Sequence, residues 1–515
     1  MLLLLYSPPL GAFNAAILQA VCVSQVVDIE DPAFMRLKYI MPPSLRGRIY
    51  LVKSRFPEAK NFKCLAVIAE VNRALDILTR PSDERQIEQH RCIAEAVACA
   101  YPAPFWLSTF SNEPIDAKME AQNVLCGAII LGDLPLVESL QASKSPMAAD
   151  LNRPNPYFGR PLSLAAAWGH HSIVDYLLHH GADPRLTLNL EEERDLEWQP
   201  NVDLSLDGRF FEKRPIGSAL QAAVLGGHED VARLLLEPKY RLSPTKVEYF
   251  RAIVAGARGG HLHLIELLLQ TMGKNVTDLP GLGEEMLWEA VRHDHLDVVQ
   301  MLLQSGVNVN SYPWPNLPAE RGTLSVAAAQ GNIRMVRYLL EQGADVNCTI
   351  NRDDEVAIEC AARCGQEEVV EYLLEQGSDP FRALRSASEA GQARVVRLLL
   401  ARDANLPKQY GSQAGRVALR KAIIAKNPTI ISLLVDAGVP LNDGYNGPYE
   451  LPICTAKAGA AQWLVDFLIS LGATDEDLED YPTDSPRFLE EDVLQQHLVG
   501  GVRVTRRTWE WVGKY

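Results

Sequence analysis

The chain has 515 residues, of which 47% are hydrophobic and 22% charged, and it carries a formal net charge of -15 at pH 7. That length exceeds one ordinary globular core and calls for several domains or one long array. The apolar fraction excludes disorder as the main theme, and the acidic balance argues against a chain built as a whole for nucleic acid, which requires concentrated positive charge.

The opening Met1-Leu2-Leu3-Leu4-Leu5 imitates a signal peptide but lacks a basic flank and stops at Pro8-Pro9, so it reads as the buried edge of an N-terminal domain. No later stretch approaches ~20 uninterrupted apolar residues, and no membrane span is expected. Residues 1–110 do not repeat. Their apolar spacing predicts helices over 12–26, 64–79 and 83–100, with 41–63 as Pro-rich basic loop, together making a helical N-terminal domain or cap. Residues 36–91 hold twelve Lys or Arg against six acids, without a dense basic run. The nine cysteines are odd in number and follow no framework, which suits a reducing cytosolic or nuclear compartment. Cys126, Cys360, Cys364 and Cys454 sit among apolar neighbours and read as small core residues.

Beyond residue 118 one phrase returns: an Ala-rich run, a Gly followed by His or Asn, an apolar pair, Leu-Leu, then Gly-Ala. It is clearest from Leu162 through Ala165-Ala166-Ala167-Trp168-Gly169-His170, Val174, Leu177-Leu178 and Gly181-Ala182-Asp183. Anchored on the mid-repeat Gly slot, it recurs at Gly132, Gly169, Gly227, Gly260, Asp294, Gly331, Gly365, Gly391, Lys426 and Ala460, with spacings of 37, 58, 33, 34, 37, 34, 26, 35 and 34 residues. Each slot has a physical reason. The alanines let two helices approach closely, the Gly reverses the chain at positive φ, and stripes such as Ile173, Val174, Leu177 and Leu178 form the buried face of a second helix. A lone helix pair cannot bury both its faces, so each unit must stack on the next.

These residues resemble the ankyrin-repeat family over roughly 118–475, in the divergent style of filamentous fungi. The resemblance implies an all-α fold: an ankyrin-repeat solenoid of about ten helix-pair units behind the helical N-terminal domain. It also implies a non-catalytic scaffold for protein–protein interaction. In the family's Thr-Pro-Leu-His slot this chain has Arg160-Pro161-Leu162-Ser163, Ser218-Ala219-Leu220-Gln221 and Gly322-Thr323-Leu324-Ser325. The His that ties the turns together in the family is missing, so irregular hairpins are expected. The spacing of 26 before Gly391 predicts a unit without a hairpin finger.

The spacing of 58 after Gly169 implies an insertion over 185–214, where Asp207-Gly208 within an alternating stretch predicts a protruding β-hairpin. The tail, 476–515, is acidic to Asp492 and then basic and aromatic around Arg506-Arg507-Thr508-Trp509. It is expected to cap the last repeat or to dock a partner.

No catalytic constellation emerges. The paired histidines owe their spacing to the repeat, since His170, His228, His261 and His295 all follow the anchor, and they lack Cys or carboxylate partners at ligand spacing. Gly281-Leu282-Gly283 follows no strand and precedes no Lys-Ser or Lys-Thr, and no Gly-x-Ser-x-Gly or kinase signature is present. Metal, cofactor and small-molecule ligands are therefore not expected. Aromatics in the inserted loops are the better signal, because interface hot spots favour Trp, Tyr and Arg. The binding candidates are Trp198, Phe210, Phe211, Tyr312, Trp314 and Tyr445, with packing of these side chains back onto the array as the competing reading. Trp168, Trp288 and Trp463 lie within helical units and are expected to be core or inter-repeat packing. The acidic balance suits a protein partner with a basic patch, such as a transcription factor. Family analogy narrows this to a transcriptional co-regulator of a fungal secondary-metabolite pathway. The alternative is a substrate adaptor for a ubiquitin ligase, with residues 1–110 meeting the ligase. An enzyme centred on 1–110 is the third reading, disfavoured by the shortness of that region and its lack of motifs.

Overall fold

A computed structural model describes residues 43–56, 59–60, 62–100, 117–142, 149–186, 217–311, 322–347, 356–403, 406, 413–442, 451–459, 461–474, 497–499 and 502–504. The described residues divide into two compact units, one over 43–307 and one over 308–504.

The first unit opens with α1 (Pro43–Lys53), α2 (Lys63–Thr79) and α3 (Asp83–Ala100). The last two match the expected helices, whereas α1 occupies a stretch expected to be loop. Its Pro43 stands at the helix start, where a missing N–H costs nothing. Gly47 lies so close to α3 that a Cβ there would come within 2.8 Å of the Glu95 Cα, and Ile49 and Tyr50 are buried. Tertiary contact therefore outweighs the Pro- and Arg-rich composition that reads as loop.

Five helix pairs follow: α4 (Ala117–Ile130) with α5 (Leu134–Ala142), α6 (Pro161–Ala167) with α7 (His171–His179), α8 (Ala219–Leu225) with α9 (Glu229–Leu235), α10 (Val247–Gly259) with α11 (Leu262–Met272), and α12 (Leu282–Arg292) with α13 (Leu296–Gln304). The second unit holds five more: α14 (Thr323–Gln330) with α15 (Ile333–Glu341), α16 (Ala357–Cys364) with α17 (Glu367–Glu375), α18 (Pro380–Ala390) with α19 (Ala393–Arg402), α20 (Gln413–Ile424) with α21 (Pro428–Asp436), and α22 (Pro452–Ala458) with α23 (Gln462–Ser470). Two short strands, β1 (His497–Val499) and β2 (Val502–Val504), pair antiparallel in the tail, a feature the sequence reading did not anticipate.

Within each unit the first helices of successive pairs stack on one another, and the second helices stack more lightly behind them. Small residues set that difference. In α6 and α8 every residue is buried, and Ala165, Ala166, Ala222 and Ala223 have no exposed surface. The second helices bury one stripe only, such as Ile173, Val174, Leu177 and Leu178 on α7 or Met335, Val336 and Leu339 on α15. Burying each such Leu or Val contributes roughly 1.5–3 kcal/mol. The nine anchor residues that are described, Gly132 to Lys426, adopt positive φ, for example 70° at Gly169. Asp294 (61°) and Lys426 (52°) adopt it without being Gly.

Candidate protein-interaction surface

At six of the anchors the residue that follows ties its unit to the preceding one. His170 Nε2 donates to the Ile130 carbonyl at 3.2 Å, His228 Nε2 to Ala167 at 3.1 Å and His295 Nε2 to Arg258 at 2.8 Å. A carbonyl can only accept, so in each the proton sits on Nε2. Further along, amides replace imidazoles: Gln366 Nε2 donates to Ala329 at 3.1 Å, Gln392 Nε2 to Arg363 at 2.9 Å and Asn427 Nδ2 to Gly391 at 3.3 Å. Each bond satisfies a carbonyl at the end of a first helix, where no intrahelical donor remains. The same side chains fill the space over the preceding anchor. A Cβ on Gly169 would lie 2.4 Å from His228 Nδ1, so Gly there serves close approach as well as backbone angle.

The histidines are thus structural, as the repeat spacing suggested. Burial holds the His170 imidazole below its ordinary range; the bond to Ile130 opposes that shift, and nearby His228 adds to it.

A second set of bridges joins the bases of the connections. Asn152 Nδ2 donates to the Gly181 carbonyl at 3.0 Å while its Oδ1 accepts from Asp183 N at 2.8 Å. Asn310 repeats this with Gly343 and Asp345, and Asn442 with Gly472 and Thr474. The turns lacking the family's His are therefore held by asparagines, together with Thr323 Oγ1 donating to the Val309 carbonyl at 3.1 Å. The bases repeat regularly, while most of the hairpin residues expected to be irregular lie outside the described residues. As expected, α17 and α18 are joined by four residues only, with no finger between them.

Among the buried charged side chains on first helices, Glu289 and Glu359 are the most deeply enclosed. In the first unit, Glu289 of α12 has no exposed surface and faces Arg258 of α10 at 3.9 Å and His293 at 3.4 Å. Burial alone would raise the Glu289 carboxyl, but Arg258, then His293 and Arg292, hold it below the usual carboxylate range. Burial pushes His293 down, opposed chiefly by Glu289. In the second unit, Glu359 of α16 is 1% exposed. It accepts from the Val356 N–H at 3.1 Å and pairs with Arg382, at 3.2 Å, and Arg385 of α18.

All six binding candidates, Trp198, Phe210, Phe211, Tyr312, Trp314 and Tyr445, fall outside the described residues, as does the hairpin of the 185–214 insertion. Trp168 and Trp288 are half-buried, the latter stacked under the Arg292 guanidinium at 4.9 Å. Trp463 is 45% exposed, which excludes the core position among the two expected for it, because it sits beside the buried Leu464–Val465 stripe of α23 rather than within it. Cys126, Cys360 and Cys454 are buried among apolar neighbours, and Cys360 packs against Ala329 with Cys364 alongside. Among the described residues no group of three or more His, Cys, Asp or Glu is placed to hold a metal. None of the described helices is long and apolar enough to cross a membrane.

Comparison with known proteins agrees with this geometry. Three family models match: ankyrin repeat over 160–188, ankyrin repeats (3 copies) over 220–312, and ankyrin repeats (many copies) over 324–374. The ankyrin repeat and KH domain-containing protein mask-1 of Caenorhabditis elegans is 27% identical over 371 residues, covering 70% of this chain and 13% of that protein. A probable E3 ubiquitin-protein ligase of Oryza sativa subsp. japonica, XBOS33, is 36% identical over 130 residues, 24% of each chain. The chain therefore spans about an eighth of the nematode relative and about a quarter of the rice one. Among solved structures, the ankyrin repeat domain of human ASB11 aligns at 21% identity and a TM-score of 0.34, covering 44% of this chain and 99% of that one. Helix pairs stacked within each unit, positive-φ anchors between their helices, side chains that close a preceding repeat and three matching repeat models make this chain a member of the ankyrin-repeat family.

Proposed function

We propose that this protein is a non-catalytic scaffold that binds another protein, most specifically as a transcriptional co-regulator. The observation that carries the scaffold reading is the series of side chain-to-carbonyl bonds between successive repeats. These bonds hold the first helices in fixed order, and a partner that meets a pre-ordered surface loses less conformational freedom on binding. The co-regulator reading rests on family analogy and on an acidic chain that suits a basic partner. Loop aromatics Trp198 and Trp314 are the proposed anchors.

One observation favours a second reading, a substrate adaptor for ubiquitin ligation. Val52, Phe56, Ile77, Leu78 and Ile87 are exposed on the three-helix N-terminal segment, at 50% or more of their surface. Apolar side chains of this kind are available to a second macromolecule. Affinity capture with crosslinking and mass spectrometry, comparing the full chain with a Trp198→Ala, Trp314→Ala double variant, separates the two. A DNA-binding regulator captured by the full chain and lost with the variant supports the first. Ligase components crosslinked to 43–100, independent of those tryptophans, support the second.

A further inference from the structure

The missing finger leaves an opening. Between α17 and α18 the connection runs only through residues 376–379. Beside it lies an open cavity of about 430 Å³, lined among others by Asn347, Val356, Ser378 and Arg382. Ser378 is 4% exposed, and its hydroxyl has no hydrogen-bond partner among the described residues. Asp379 also lines the cavity, with its Oδ1 accepting from the Phe381 N–H at 2.9 Å. A buried hydroxyl without a partner is costly unless a ligand or water takes it up.

Arg382 shares Glu359 with Arg385, and their side chains are 38% and 41% exposed. One carboxylate against two guanidiniums leaves the trio with a surplus positive charge, in a geometry fixed by the buried acid. The surplus continues along the row. The first helices α16, α18, α20 and α22 carry seven Lys or Arg and two acids, Glu359 and Glu389. Their partner second helices α17, α19, α21 and α23 are net -3. Lys421 pairs with Glu389 at 3.1 Å, and the side chains of Arg420 and Lys457 reach the surface. Positive charge is thus gathered on one face of a chain that is acidic as a whole.

We propose that the cavity at Ser378 and the basic first-helix row leading from it form a docking groove for an acidic peptide segment of the protein partner. A carboxylate is received by the Arg382 guanidinium and the Ser378 hydroxyl, and further carboxylates by Arg420 and Lys457. This rests on the scaffold reading and adds the chemistry of the partner. It assigns this face an acidic partner segment, where overall charge alone suggested a basic one. Nucleic acid matches the charge less completely, because Phe381 is the one aromatic on these four first helices and base recognition relies on aromatic stacking.

The test is fluorescence anisotropy of a short labelled Asp/Glu peptide with the full chain, against the matching Asn/Gln peptide and a single-stranded RNA of equal length. The acidic peptide should bind, weaken with added salt, and leave the Asn/Gln peptide behind. Ser378→Ala and Arg382→Gln should each weaken it about tenfold, and Arg420→Glu with Lys457→Glu by more, at unchanged melting temperature. Ser378→Ala and the Arg420, Lys457 pair leave Glu359 untouched, so they decide the matter should Arg382→Gln disturb folding. Equal binding of both peptides, indifference to these variants, or tighter binding of RNA overturns the proposal. A chain that ignores the acidic peptide yet still captures a protein on crosslinking overturns this inference and leaves the scaffold reading standing; capture of neither removes both.

Discussion

Arg258 is engaged from two sides: its guanidinium lies 3.9 Å from the buried carboxylate of Glu289, and its own carbonyl accepts from His295 at 2.8 Å. Both contacts bind α10 to the next repeat. Arg258→Met keeps the backbone bond and strands the buried carboxylate, so it should cost about 3–5 kcal/mol. The double variant Arg258→Met, Glu289→Leu should recover most of that loss, since two apolar groups need no counter-charge. Urea denaturation midpoints of the wild type and both variants measure this directly.

The His170 imidazole gives a pH prediction. Its folded pKa is lowered by burial, whereas an exposed imidazole takes up a proton near pH 6.5. The unfolded chain therefore binds more protons as the solution is acidified. The contribution of this residue is complete above pH ~6.5 and is lost as pH falls towards the folded pKa. His170→Gln should preserve the bond to Ile130, as Gln366 and Gln392 do at equivalent positions, and should flatten the fall in melting temperature between neutral pH and pH ~5. His293 is shifted in the same direction, so the slope should shrink without vanishing.

Two anchors hold a side chain where the backbone is left-handed. Lys426→Gly and Asp294→Gly should each stabilise the protein by about 0.5–1 kcal/mol, with the larger gain at Lys426 because Asp tolerates that conformation better than Lys. Thermal denaturation reads both changes, and a loss of stability at either would show that the native side chain contributes more than its backbone strain costs.

Leu339 lies at the centre of the α15 stripe with no exposed surface. Leu339→Ala should cost about 2–5 kcal/mol by opening a cavity. Leu339→Asp should unfold the middle repeats outright, since a carboxylate there has no counter-charge. Limited proteolysis would detect new cleavage between 323 and 375, and an unchanged digestion pattern would reject the assignment of that face.

Repeat number and helix-face assignment were legible because they rest on periodicity: the Ala165–Ala167 run, the Gly169 turn and the Leu177–Leu178 stripe each depend on neighbours within one unit. The shortened connection before Gly391 was legible from spacing alone. Helix α1 was not, because its stability comes from Gly47 packing on Glu95, a contact distant in sequence. The bonding role of His228 or Gln392 was visible only as a preferred residue type, since the acceptor belongs to the preceding repeat. The basic first-helix row escaped for a related reason. Its basic residues are scattered one to three to a helix, and only the stacking of the first helices gathers them.

The bonds from His170, His228, His295, Gln366, Gln392 and Asn427 all point the same way: the donor belongs to one repeat and the acceptor to the repeat made before it. Synthesis runs in that direction too. As each of these six helix pairs emerges from the ribosome it brings the donor that closes the carbonyl already waiting on its predecessor. A nascent array broken off at one of these junctions therefore leaves its unclosed acceptor at the growing end.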